Sequence, residues 1–291
     1  MFSKEFPKDY LLDRGFADTY VLEKELGKGG NGFVMSARHR GTGKKVAVKF
    51  MAKRKIAENA WMQVSESRWV PREIVLAYNL SHQYIIKCEN DLFDDDMYFY
   101  IVQELHGDQW NHSSGSGNSL FDYRMQVGQL PERTARHIFK QIASGVMALH
   151  NMGVSHCDLK LENVLIDRKL NTKIIDLGSA VTAEPGASPP TYTRDTFCGT
   201  IPYAAPEIPG QERYEAAPTD VWCLGLILCE LATGFSAVQR TSGPDELRDS
   251  GVLDECSREL QSLLLGFCLN ADPKERATMA EVMAHPWMQQ A

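Results

Sequence analysis

The sequence predicts an α+β fold in which strands come first and helices follow. Two observations lead there. Between residues 20 and 102, five short segments (20–26, 33–37, 45–50, 84–87 and 97–102) are strand-like, alternating or running apolar between turn signals. From Leu120 the period lengthens, and Ile138, Ile142, Val146 and Leu149 make the core stripe of one long helix over 132–152. At 291 residues the chain has room for one large domain or two coupled lobes.

Composition excludes several classes. Hydrophobic residues make up 43% and charged residues 24%, which fits a globular protein and not a disordered or fibrous one. No apolar run approaches the roughly 18 residues of a membrane-spanning helix. The start, Met1-Phe2-Ser3-Lys4-Glu5-Phe6-Pro7, lacks the apolar core of a secretory signal, so a cytoplasmic address is expected, the nucleus included. Seven cysteines form no C-x-x-C pair and leave one over in any complete pairing, which favours reduced thiols. A net charge of −7, from 31 basic and 38 acidic residues, argues against nucleic acid or an anionic membrane as partner. A basic peptide suits it, and a monomer is expected.

The densest chemistry lies in His156-Cys157-Asp158-Leu159-Lys160-Leu161-Glu162-Asn163. A hydroxyl that attacks phosphorus needs an acceptor for its proton, a cation beside the moving group and oxygen ligands for Mg²⁺. Asp158, Lys160 and Asn163 offer these in order. On eight residues alone, a polar loop before the apolar strand Val164-Leu165-Ile166 is the competing reading.

Earlier in the chain, Gly27-Lys28-Gly29-Gly30-Asn31-Gly32-Phe33-Val34 reads G-x-G-x-x-G-x-V. Residues without Cβ let backbone N–H groups approach phosphate oxygens. A dinucleotide site has similar glycines but wants a helix directly after them, and here strands follow. The next strand carries Lys49 in Val46-Ala47-Val48-Lys49, and a lysine inside an apolar strand requires a partner. Glu73, early in a helix over 72–80, is the proposed partner, although glutamate also favours such positions through the helix dipole alone.

These motifs, in this order, resemble the protein kinases of eukaryotes, serine/threonine type, with Cys157 where the catalytic loop of that family usually has arginine. The resemblance runs from about residue 20 to 288. It includes Asp176-Leu177-Gly178, with leucine for the usual phenylalanine, Thr196-Phe197-Cys198-Gly199-Thr200, Ala205-Pro206-Glu207, Asp220 in a buried helix and Arg276 as the partner of Glu207. Trp69-Val70-Pro71-Arg72-Glu73-Ile74 and His285-Pro286-Trp287-Met288 add a likeness to PAS-domain kinases and their Pim relatives, in the calmodulin-dependent-kinase-like group.

The resemblance implies a two-lobed fold: an extension at 1–19, a mainly antiparallel β N-lobe with one key helix at 20–104, and a mainly helical C-lobe at 105–288 with an activation segment at 176–207. A tail covers 289–291. It implies that ATP is held by Gly27, Lys28, Gly29, Gly30, Asn31, Gly32, Val34, Ala47, Lys49, Glu73, Glu104, Leu105 and Leu165, with Gln103 at the gatekeeper position. Asn163 and Asp176 would bind Mg²⁺, Asp158 would accept the substrate proton, and Lys160 would neutralise the migrating phosphoryl group. Protein substrates follow, with basic residues near the phosphosite read by Glu162 and Asp122. Without an arginine at 157, activity is expected to depend little on phosphorylation at Thr196, Thr193 or Tyr192, unless Lys173 or Arg194 supplies the missing cation. The alternatives are a pseudokinase scaffold, which commonly loses one of the Lys49, Asp158, Asn163 or Asp176 equivalents, and a small-molecule phosphotransferase, which would not be expected to keep Thr200, Ala205-Pro206-Glu207 and Arg276. Residues 1–19 are expected to pack through Phe6, Tyr10 and Leu11, and 108–119 to form a flexible insertion rich in serine and glycine.

Overall fold

Alternation after Tyr20 builds a five-stranded antiparallel sheet with strand order β1-β2-β3-β7-β6. The computed structural model describes residues 5–112, 115–183, 193–194, 199–208, 214–235 and 244–290. The chain divides into two units, Met1–His106 and Gly107–Ala291. The first holds helix α1 (Arg14–Thr19), strands β1 (Tyr20–Gly29), β2 (Gly32–His39) and β3 (Lys45–Ala52), the hairpin β4 (Trp61–Ser65) and β5 (Arg68–Pro71), helix α2 (Arg72–Asn79), and strands β6 (Cys88–Asp94) and β7 (Tyr98–Glu104).

Side chains alternate across the sheet. Phe33, Met35, Val46, Val48, Phe50, Tyr98, Tyr100 and Val102 face one side and form an aromatic-rich core. Register pairs Val34 with Lys49 and Lys49 with Ile101, so these residues share the opposite face. The N-terminal segment closes the aromatic side. Phe16 is fully buried in α1, whose N-cap Asp13 accepts a hydrogen bond from the Phe16 N–H at 2.8 Å. Phe6 stacks on Tyr10, with ring centroids 4.8 Å apart, and meets Phe33 and Phe50 edge-on at 4.9 and 5.0 Å. Such aromatic pairs contribute about 0.5–1.5 kcal/mol each beyond their buried area. Leu11, expected to pack beside them, is 85% exposed. Its neighbours Tyr10 and Leu12 are the ones that meet the core.

Two local expectations move. The apolar run at 84–87 is not a strand: Ile85 and Ile86 are buried just after the Gln83-Tyr84 turn, and ladder pairing starts only at Cys88, opposite Gln103. The β4–β5 hairpin was not legible, because its turn is Glu66-Ser67, which lacks the Gly, Asn or Asp that marks a tight hairpin turn.

In the second unit, the hairpin β8 (Trp110–His112) and β9 (Gly115–Gly117), α3 (Leu120–Val127) and α4 (Glu132–Asn151) precede β10 (Val154–Ser155), β11 (Val164–Ile166), β12 (Thr172–Ile174), β13 (Val181–Thr182) and α5 (Ala216–Thr233), which shares a core with α4. Ile138, Ile142, Val146 and Leu149 of α4 are all fully buried, as the stripe predicts. Helix α5 is long and apolar enough to cross a membrane, longer than the apolar-run criterion suggested. It is mostly buried inside the protein, with Asp220 and Glu230 among its buried residues, and so behaves as a core helix. The insertion at 108–119 contains order: Trp110–His112 pairs with Gly115–Gly117, and the buried Trp110 indole donates to the Ile166 carbonyl at 3.2 Å. Ser113 and Ser114 lie outside the described residues.

Asp95, in the turn before β7, ties the N-terminal segment to the sheet. Its carboxylate accepts from the hydroxyls of Tyr10 and Tyr100 and from the N–H groups of Met97 and Tyr98, the last two at 2.7 and 2.8 Å. Burial opposes its ionisation, but these four donors outweigh burial and hold its pKa below the usual carboxylate value. A depressed folded-state pKa gives stability that is present above the unfolded pKa of about 3.9 and lost as pH falls through the folded one. Asp95→Asn should therefore lower stability at pH 7 by about 1–2 kcal/mol, discounted for partial exposure. In urea unfolding, the gap to wild type should narrow as pH falls below about 4.

Candidate active site

In the first unit, β3 presents Lys49 on the face away from the aromatic core, and its ammonium pairs with the Glu73 carboxylate from the first turn of α2. The two side chains are 17% and 9% exposed. At that burial each charge is compensated in part by the other. The glycine-rich turn joins β1 and β2. Gly32 must be glycine for packing: a Cβ there would sit 1.8 Å from the Phe50 carbonyl oxygen. Gly27, Gly29 and Gly30 differ. None has a positive φ, and a Cβ on any of them would meet nothing within 4 Å. Neither backbone conformation nor neighbouring atoms explain those three glycines, whereas a ligand approaching their amides would.

Other expected nucleotide contacts in this unit vary in fit. Ala47 is buried beside Lys49 on the same strand face, and Val34 is half-buried. The Lys28 ammonium is drawn to Glu5 at 2.8 Å, leaving the exposed turn around Asn31 to present backbone. The Glu104 N–H is given to the Lys87 carbonyl at 2.9 Å, so residue 104 has no amide donor to offer a base. Leu105 follows it, 38% exposed. Gln103 directs its carboxamide toward the Cys88 sulfur at 3.8 Å.

The second unit shapes its central loop around Asp220 of α5. This carboxylate is fully buried and accepts from the N–H of His156 and of Cys157, each at 2.8 Å, with His150 Nε2 2.8 Å away. Two successive amides turned to one carboxylate put Cys157 at φ 63°, an uncommon conformation for a residue with a side chain. His156 locks the next step. Its Nδ1 accepts from the Asp158 N–H at 3.2 Å, so its Nε2 carries the proton donated to the Ile175 carbonyl at 3.0 Å.

The loop then delivers Asp158. Lys160 Nζ reaches Asp158 Oδ2 at 2.8 Å, the Thr200 hydroxyl reaches Oδ1 at 2.7 Å, and Lys160 also donates to Thr200 at 2.7 Å. Asn163 Nδ2 bonds the Asp158 carbonyl at 2.8 Å and its Oδ2 at 3.1 Å. Asn163 thus spends its amide nitrogen on Asp158, which leaves Oδ1 as its ligating atom. Its backbone carbonyl accepts from the Ile175 N–H at 3.0 Å, continuing the β11–β12 pairing that sets Leu165 opposite Lys173. That bond puts Asn163 and the exposed Asp176 at the same end of the hairpin. A carboxamide oxygen and a carboxylate are hard oxygen donors, which fit Mg²⁺ shared with phosphate groups.

Thr200 was expected only as part of a substrate-positioning segment, and its direct bonds to Asp158 and Lys160 had no signal in sequence spacing. Asp122 departs from expectation. It closes a capping box on α3, accepting from the Ser119 N–H at 3.0 Å while its own N–H reaches the Ser119 hydroxyl at 3.2 Å. Glu207 and Arg276 form the expected pair, bidentate at 2.7 and 2.8 Å and 4% and 0% exposed. The guanidinium is completed by the Pro218 and Asn270 carbonyls at 3.0 and 2.9 Å and by the Trp222 ring. Tyr192, Thr196, Phe197 and Cys198 lie outside the described residues, as do the side chains of Thr193 and Arg194.

A family profile described as Protein kinase domain matches residues 20–288. The chain belongs to the protein kinase family. Its similar proteins agree. Sperm motility kinase 2B of Mus musculus is 34% identical over 278 residues, covering 94% of this chain and 52% of that protein. Sperm motility kinase 3A of Mus musculus is 33% identical over 279 residues, with 94% and 50% covered. PAS domain-containing serine/threonine-protein kinase of Mus musculus is 35% identical over 274 residues, with 93% and 18% covered. This kinase domain is therefore of the serine/threonine type, and it spans about half the length of the sperm motility kinases it matches. The PAS-kinase likeness was legible in the sequence, whereas that to sperm motility kinases was not.

Proposed function

We propose that this kinase domain transfers the γ-phosphoryl group of ATP to serine or threonine side chains of proteins. The observation that carries the reading is the closed triangle of Asp158, Lys160 and Thr200. In it Thr200 offers Asp158 an aliphatic hydroxyl, the functional group a serine or threonine substrate would bring. Asp158 accepts the proton as the substrate oxygen attacks phosphorus, and Lys160 lies within reach of the same oxygen. Lys49, oriented by Glu73, and the amides of the glycine-rich turn hold the phosphates. Asn163 and Asp176 would hold Mg²⁺, which when bound shields the negative charge of the phosphates. Asp220 takes no part in the chemistry, but by gripping two successive amides it sets where Asp158 points.

Two finer features belong to the same proposal. Glu162 is exposed beside Asn163 and is our candidate reader of basic residues near the phosphosite, whereas the Asp122 carboxylate is occupied by its capping box. Activity is largely independent of activation-segment phosphorylation, because Cys157 is buried against Val181 and Ala216, with its thiol directed to the Ser155 carbonyl at 3.7 Å. A thiol so placed cannot offer a phosphate the fork that arginine supplies. The cysteines support a cytoplasmic or nuclear setting: among the described residues all are free, and burial pushes the Cys268 thiol up to about 12.

Asp158→Asn should retain nucleotide binding and lose about 10²–10⁴-fold in turnover on varied peptides, since that is what a positioned base contributes. Equal, near-zero turnover in wild type and variant would defeat the enzyme reading in favour of a scaffold. On peptide arrays, Glu162→Ala should flatten the preference for basic residues, and a profile indifferent to charge in both proteins would remove that role. Phosphatase treatment and Thr196→Ala should each change kcat/KM by less than about tenfold, or roughly 1.4 kcal/mol. A larger drop would show that phospho-control survives without the arginine.

A further inference from the structure

The aromatic segment before β1 reaches the glycine-rich turn, and no catalytic role accounts for that. It touches both strands of the hairpin at its tip. Glu5 pairs with Lys28 on β1 at 2.8 Å, and Phe6 meets Phe33, the residue after Gly32 on β2, edge-on at 4.9 Å. Lys28 and Phe33 are direct cross-strand partners, so the two contacts grip one rung of the ladder. The grip is anchored. Phe6 stacks on Tyr10, whose hydroxyl is bonded to Asp95, between β6 and β7, and to Tyr100 on β7. Phe6 also abuts Phe50 and Tyr98, and Gly32 is pressed against the Phe50 carbonyl, so turn, segment and β3 pack as one layer. The turn itself is held by the Ala52 N–H at the end of β3 to the Asn31 carbonyl and by Lys55, just beyond β3, to the Gly30 carbonyl, each at 2.9 Å.

We infer that Phe6, backed by Tyr10, is a positioning residue for the glycine-rich turn, acting from the face of the sheet opposite Lys49. The inference rests on the proposed phosphotransfer. Of the two contacts at the tip, the ion pair is exposed and therefore weak, so the aromatic one decides. Amides that must converge on phosphate oxygens lose affinity when the turn that carries them moves more freely. The transfer step is built on Asp158 and Lys160 and does not call on Phe6. The signature is a nucleotide effect without a turnover effect.

The test is Phe6→Ala in the full chain, read by steady-state kinetics and by hydrogen–deuterium exchange. The KM for ATP should rise about 5–10-fold while kcat and the peptide KM stay within about twofold. Exchange should quicken at residues 27–34 and at Ala52, whose N–H is bonded to the Asn31 carbonyl, and stay unchanged at 45–49. An unchanged ATP KM in an active enzyme would overturn the inference, as would exchange that quickens equally in β3 and β7, the mark of a general loss of stability. If Phe6→Ala fails to fold, Phe6→Leu serves, with an expected rise in ATP KM of about 2–3-fold and the same overturning results. Wild type without turnover would count against the phosphotransfer reading alone, because exchange requires no activity and still judges the role of Phe6.

Discussion

A single buried carboxylate organises the second unit. Asp220 lies in an apolar helix where an uncompensated charge would be prohibitively costly, and its compensation comes from two consecutive backbone amides and a histidine. The requirement runs both ways. The helix needs those donors, and the donors must bend the loop until Cys157 takes a left-handed conformation. That bend projects Asp158 toward Lys160 and Thr200. Much of the site's geometry thus follows from solvating one anion with protein in place of water.

The first unit solves a different problem. An amphipathic sheet must cover one face, and here an aromatic segment that precedes the sheet in sequence covers it, locked through Asp95 and two tyrosine hydroxyls. With that face sealed, the other is left for Lys49 and Glu73, whose ion pair ties β3 to α2. The glycines divide along the same line. Gly32 serves the packing, whereas a Cβ on Gly27, Gly29 or Gly30 would meet no neighbouring atom.

Much of this was legible from residue order. Period-two alternation marks β1 and β2, continuous apolar runs mark β3 and β7, and the Ile138-Ile142-Val146-Leu149 stripe marks α4, because burial on one face or on both leaves its trace in the sequence. Chemistry-bearing residues were legible where they are close in sequence, as Asp158, Lys160 and Asn163 are, or where a buried charge demands a partner, as Lys49 does. Illegible features depend on distant neighbours. The Glu66-Ser67 turn carries no marker residue, and Leu11 and Leu12 are alike until the fold buries one and exposes the other.

By itself, then, the sequence determined which residues carry charge, which faces are apolar and where glycine frees the backbone, since these are properties of residue type and spacing. Only the tertiary structure decided that Thr200 closes on Asp158 and that Phe6 lies behind the glycine-rich turn. Each of those is a contact between side chains whose alternatives are equal in local energy. Packing across tens of residues selects among them, and no local pattern records the choice.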